Sequence, residues 1–118
     1  MNIEQVNLRL HELSKLTDGW YEGGGYAPSK ETINRAKIVL LKVHQEDPEV
    51  TIPSIFPTPE GGIQMEWSLD GWDIEVRIQP ESELVHGFAI GAKTEREFMI
   101  GASSDLHELL AWLQGEVE

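Results

Sequence analysis

Apolar residues recur at Ile3, Val6, Leu10 and Leu13, the three-and-four spacing of an amphipathic helix, and Leu16 roughly extends the stripe. Asn2 can cap this helix, with Gln5 three residues later in a loose capping box. Asp18-Gly19 is its expected stop. The loop Trp20-Tyr21-Glu22-Gly23-Gly24-Gly25-Tyr26-Ala27 follows, and Pro28-Ser29 opens a second helix with a serine cap. There Ile33, Ala36, Leu40 and Val43 form one stripe, while Ile38, Val39 and Leu41 widen the apolar surface beyond it. Pro48 ends that helix. The surplus apolar surface predicts cover by a partner or a second copy, because soluble monomers rarely leave large apolar patches bare.

From residue 50 the period changes to two. Val50-Thr51-Ile52 reads as a short strand that Pro53, Pro57 and Pro59 confine to a sheet edge. Next, Gly62-Ile63-Gln64-Met65-Glu66-Trp67-Ser68-Leu69 and Trp72-Asp73-Ile74-Glu75-Val76-Arg77-Ile78 flank Asp70-Gly71, the signature of a two-residue type I′ hairpin. Pairing Leu69 with Trp72 also pairs Trp67 with Ile74, Met65 with Val76 and Ile63 with Ile78, all on one face. Two more strands are expected at about 84–90 and 96–101, with Phe88, Ile90, Phe98 and Ile100 as core candidates. Direct pairing of Gln79 with Leu84 would put Leu84, Phe88 and Ile90 on the polar face. A bulged or five-residue connection puts Phe88 and Ile90 in the core, and this is the expected register. A last helix begins near Ser103-Ser104-Asp105, buries Leu106, Leu109, Leu110 and Leu113, and stops at Gly115. The order predicts an α+β fold over 1–118: two N-terminal helices, an antiparallel sheet of about four to five strands, and a C-terminal helix.

A chain of 118 residues, 40% hydrophobic and 25% charged, is the size and composition of one globular domain. It has no cysteine, which excludes disulfides, thiolate metal sites and a cysteine nucleophile. No basic-then-apolar leader and no apolar run of membrane-spanning length stand in the sequence, so a soluble cytoplasmic protein is expected. With 21 acidic against 9 basic residues, nucleic acid and anionic membrane are poor partners. The imbalance is local: residues 46–83 carry ten acids against Arg77, a net of −9 out of −12. That segment is either a solubilising surface or an electrostatic face for a basic partner.

Catalytic constellations are missing. Gly23-Gly24-Gly25 follows a helix rather than a strand, lacks a following Lys-Ser/Thr, and has Glu22 beside it, which argues against a phosphate cradle. His11, His44, His86 and His107 are each isolated, so no metal is expected. No serine stands in a GxSxG context. Neither enzyme chemistry nor a cofactor is therefore expected. The hairpin register sets Ser68 opposite Asp73, Glu66 opposite Glu75 and Gln64 opposite Arg77 on the non-core face. Glu66 and Glu75 directly opposed repel, a kind of local conflict mildly enriched at functional places. They are either a solvated pair that Arg77 screens, a face for a basic partner, or an acid–base or divalent-ion pair, the last lacking a cleft or nucleophile. The aromatic-glycine loop is either a structural turn or a recognition loop with aromatic anchors. Candidate partner-binding residues are thus Trp20, Tyr21, Gly24 and Tyr26 in the loop, and Glu66, Asp73 and Glu75 on the sheet.

Two stretches, Gly19-Trp20 through Pro28-Ser29 and Pro57-Thr58-Pro59-Glu60-Gly61-Gly62-Ile63-Gln64-Met65-Glu66-Trp67, resemble a group of small uncharacterised bacterial and phage-borne proteins. Those carry a GW-x-G-x-G-x-x-x-P-S loop before a helix and a P-T-x-x-G-G-I-x-x-E-W segment opening a hairpin. The resemblance covers about residues 13–80, and its second motif is the more specific. It departs in the first loop, where Tyr21-Glu22 and a triple glycine replace a shorter spacing. The resemblance implies no particular activity. It does imply a small accessory protein of microbial or phage conflict systems.

The leading expectation is therefore a non-enzymatic acidic interaction protein (a regulator, antitoxin, immunity protein or inhibitor) that docks on a basic protein, with a homodimer possible. A second reading is an acidic mimic of DNA. Charge density counts against it: −12 over roughly 6,400 Å² is one net charge per about 500 Å², against on the order of 100 Å² for duplex DNA. The third is a small-ligand binder or enzyme using the Trp20–Tyr26 loop, which needs a pocket.

Overall fold

In the computed structural model, which describes residues 1–69, 71–82, 84–100 and 106–115, the opening helical periodicity becomes α1 (Ile3–Ser14) and α2 (Lys30–Glu46). Both caps form as the sequence implies: Asn2 Oδ1 accepts from the Gln5 amide at 3.2 Å, and Ser29 Oγ from the Thr32 amide at 3.1 Å. α1 ends at Ser14, before Asp18-Gly19; Gly19, at φ +90°, belongs to the following loop instead. On α2, Ala36, Leu40 and Val43 are buried as expected and Ile33 is half-buried. The expected apolar surplus is largely internal: Val39 is buried and Leu41 half-buried, leaving Ile38 exposed. α2 therefore presents no large apolar face for a second copy to cover.

Five antiparallel strands follow in consecutive order: β1 (Ser54–Pro57), β2 (Ile63–Leu69), β3 (Trp72–Ile78), β4 (Val85–Gly91) and β5 (Glu95–Ile100). After them comes the short helix α3 (His107–Leu113), completing an α+β fold. The edge strand is Ser54–Pro57 and not Val50–Ile52. Val50 turns into the core, and the Thr51 carbonyl accepts the Trp67 indole N–H at 2.8 Å rather than a strand partner. The β2–β3 register is the expected one, pairing Leu69 with Trp72, Trp67 with Ile74, Met65 with Val76 and Ile63 with Ile78. Asp70 of the connecting turn lies outside the described residues; Gly71 has the left-handed φ of +82° that a type I′ turn requires at its second central position.

The β3–β4 register corrects the sequence reading. Ile78 pairs with Val85, Val76 with Gly87 and Ile74 with Ala89, without a bulge, so Phe88 and Ile90 leave the core for the opposite face. The reason lies in the small residues. A Cβ at Gly87 would stand 2.2 Å from the Phe98 ring, and one at Gly91 3.0 Å from the Trp72 ring. Large aromatics on the flanking strands therefore occupy the space that β4 leaves empty on the core side. Phe98 and Ile100 are buried as expected. Arg35 of α2 donates to the carbonyls of Gln79 (3.4 Å) and Ser82, tying the β3–β4 connection to the helix.

α3 buries Leu109 and Trp112, with Leu106 at its N-cap, whereas Leu110 and Leu113 are only half-buried. The Trp112 ring lies 4.7 Å from Trp72, and this aromatic contact rotates the buried stripe away from the leucine pattern. The expected cap at Ser103-Ser104-Asp105 lies outside the described residues, and Gly115 follows the helix at φ +72°. All three helices share one core with Ile55, Ile63, Met65, Trp67, Ile74, Val76 and Ile78, so they cover one face of the sheet. Among the described residues, no element packs on the other face, and no helix is long and apolar enough to cross a membrane.

Candidate functional site

The loop after α1 is built as a small hairpin. Tyr21 and Gly24 exchange backbone hydrogen bonds of 2.9 and 2.8 Å around Glu22 (φ +51°) and Gly23 (φ +86°), the double left-handed pair of a type I′ turn. The Trp20 indole N–H donates to the Tyr26 carbonyl at 2.8 Å, and Trp20 meets Tyr21 edge-on at 5.6 Å. The Gly19 amide bonds the Gly25 carbonyl, Asp18 Oδ1 accepts from the Ala27 amide, and the Tyr26 amide bonds the Pro59 carbonyl at 2.8 Å. The triple glycine thus serves internal closure and docking on residues 58–62. Gly24 is a turn residue, and Trp20 is half-buried with its N–H satisfied inside the loop. Tyr21 and Tyr26 remain exposed.

The three carboxylates foreseen on the sheet do share the open face. Glu66 stands directly opposite Glu75, and Ser68 opposite Asp73. Their repulsion is locally offset. Arg77 Nη2 reaches Glu75 Oε2 at 2.8 Å, and Gln64 Nε2 donates to Glu66 Oε1 at 2.9 Å. The Glu75 side chain is only 14% exposed, so the arginine compensates a largely desolvated charge. The aromatic loop and these carboxylates do not form one site. Tyr26 meets the chain at Pro59 and Glu60, at the Ile63 end of β2, whereas Asp73 sits at the opposite end, beside the β2–β3 turn.

The sequence reading missed the apolar part of this face. Because β4 turns its large residues outward, Phe88 stands between Glu75 on β3 and Glu97 on β5, and Ile90 between Asp73 and Glu95. Two successive rungs therefore read acid–apolar–acid, with carboxylates on strands about 10 Å apart flanking each apolar side chain. Next to them, Arg77, His86 and Met99 form a third rung. The Arg77 guanidinium lies over the Phe88 ring at 4.1 Å from its centre, and His86 Nδ1 is 3.3 Å from Glu97 Oε1. Leu84 and Met99, both more than two-fifths exposed, extend the apolar surface. A sequence signal for this existed. Gly87, Ala89 and Gly91 share one parity, and a strand face made only of small residues must meet bulky neighbours to be core.

Two depressions border the face. One, of about 410 Å³, is lined by Thr58, Glu60, Gln64, Arg77, Gln79 and Pro80, and the Arg77 Nε–H is buried there without a hydrogen-bond partner. The other, of about 330 Å³, lies between Trp72, Asp73, Ile90 and Gly91 at the far end. Among the described residues no group of histidines and carboxylates has the arrangement of a metal site. Compared with protein-family models, with curated proteins and with solved structures, the chain matches none.

Proposed function

We propose that the protein is a non-enzymatic interaction module that docks a basic protein on the helix-free face of its sheet. The observation that carries this reading is the inversion of β4. Its core side is Val85, Gly87, Ala89 and Gly91, while Phe88 and Ile90, both half-buried, face outward among Asp73, Glu75, Glu95 and Glu97. Outward Phe88 and Ile90 contribute little to the chain's own core, and an apolar stripe inside a charged rim is the composition of a docking surface. The rim's sign calls for a basic partner and speeds its encounter. A second copy is disfavoured, since two such faces would oppose like charges. The resemblance to small bacterial and phage-borne proteins favours a regulator, antitoxin, immunity protein or inhibitor of a conflict system, acting in the cytoplasm.

Affinity capture with tagged protein, wild type beside Ile90→Ser at low and high salt, tests the reading. A basic protein retained by wild type at low salt, and lost both at high salt and with Ile90→Ser, is the expected result. Retention that ignores Ile90→Ser but disappears with Tyr26→Ser moves the site to the aromatic loop. A second reading, a small polar ligand, draws on the 410 Å³ depression and the unpartnered Arg77 Nε–H. Recovery of a metabolite in the same capture favours it.

A further inference from the structure

We infer that the docking face recognises arginine in its basic partner, through a second guanidinium seat at the rung Asp73–Ile90–Glu95. This rests on the docking reading above and gives it a chemistry. The neighbouring rung already demonstrates the pose: Arg77 lies over Phe88 at 4.1 Å and sends Nη2 to Glu75 at 2.8 Å. A planar, weakly hydrated cation suits that combination, giving its face to an apolar side chain and its edge to a carboxylate. The rung one step along keeps the flanking carboxylates, as Asp73 and Glu95, and replaces the Phe88 ring with Ile90, which offers a guanidinium an aliphatic surface without the π attraction. No cation of the described residues pairs with Asp73 or Glu95. Here the surface dips into the depression of about 330 Å³ between Trp72, Asp73, Ile90 and Gly91, room for a side chain from outside. One seat is thus filled by the chain's own arginine and the next is open, with the depression on its Asp73 side and the Glu95 carboxylate across Ile90. Lysine fits less well, because its compact, strongly hydrated ammonium neither stacks nor bridges two acceptors from one plane.

Acetylated, amidated tetra-arginine and tetra-lysine, titrated into the isotope-labelled full chain at low salt and followed by amide shifts, decide the matter. Tetra-arginine is expected to move the amides of Asp73, Ile90 and Glu95 first and to bind about two- to fivefold tighter than tetra-lysine, the scale of one exposed charge-assisted pair. Asp73→Asn and Glu95→Gln, both at exposed positions, should each erase most of that preference while the rest of the amide spectrum stays unchanged. Equal binding of the two peptides on this face overturns the arginine seat and leaves the docking face standing. Shifts scattered over the acidic surface, with none at β4, overturn both.

Discussion

Arg77 is the side chain on which the open face is organised. It stacks on Phe88, pairs with a Glu75 carboxylate that is only 14% exposed, and borders the depression of about 410 Å³. Replacing it with methionine keeps most of the apolar contact but leaves Glu75 uncompensated. Arg77→Met should therefore cost about 1–2 kcal/mol in a denaturant titration. Glu75→Gln in the same background should recover part of that loss, and a double-mutant cycle with no coupling between the two would deny the pair its structural role. The Glu66–Glu75 opposition was legible from the alternation alone. Screening by Arg77 was legible too, but its pairing with Glu75 and the bond from Gln64 to Glu66 were not, because the rotamers that bring those groups to the two carboxylates depend on the neighbours across the face.

Two elements carry backbone or packing demands that single substitutions can probe. In the Tyr21–Gly24 turn, Glu22 holds φ +51°, a conformation that asparagine tolerates better than glutamate. Glu22→Asn should raise stability by about 0.5–1 kcal/mol, measured by thermal or denaturant unfolding. In β4, Gly87 makes room for the Phe98 ring, which a Cβ would approach to 2.2 Å. Gly87→Ala should cost about 1–3 kcal/mol by overpacking, and Phe98→Leu should relieve part of it in the double variant. A midpoint unmoved by Gly87→Ala would mean that β4 can shift register, and the outward placement of Phe88 and Ile90 would lose its cause. The caps of α1 and α2 and the β2–β3 hairpin were readable because they follow from contacts a few residues apart. The β3–β4 register was signalled only by the shared parity of Gly87, Ala89 and Gly91, since what fixes it is Phe98 and Trp72, which sit on two other strands.

The described residues form one layer of helices on one face of a five-stranded meander, with the core between them and the acid–apolar rungs outside. Trp67, 2% exposed and anchored through its indole N–H to Thr51, lies in that core. Trp67→Ala should cost about 3–5 kcal/mol, and a denaturant midpoint that barely moves would place the ring outside the packed layer. The amino-acid pattern by itself determined the α+β class, the caps of α1 and α2, the hairpin register and the presence of Glu66, Asp73 and Glu75 on one face. Each of these rests on local periodicity or on a short turn whose geometry the adjacent residues dictate. Tertiary structure alone decided which face of β4 is core, why the apolar excess of α2 is internal, and how Phe88 and Ile90 come to lie between rows of carboxylates. Those outcomes depend on which distant side chain fills which space, and alternation along one strand is identical whichever face is turned inward.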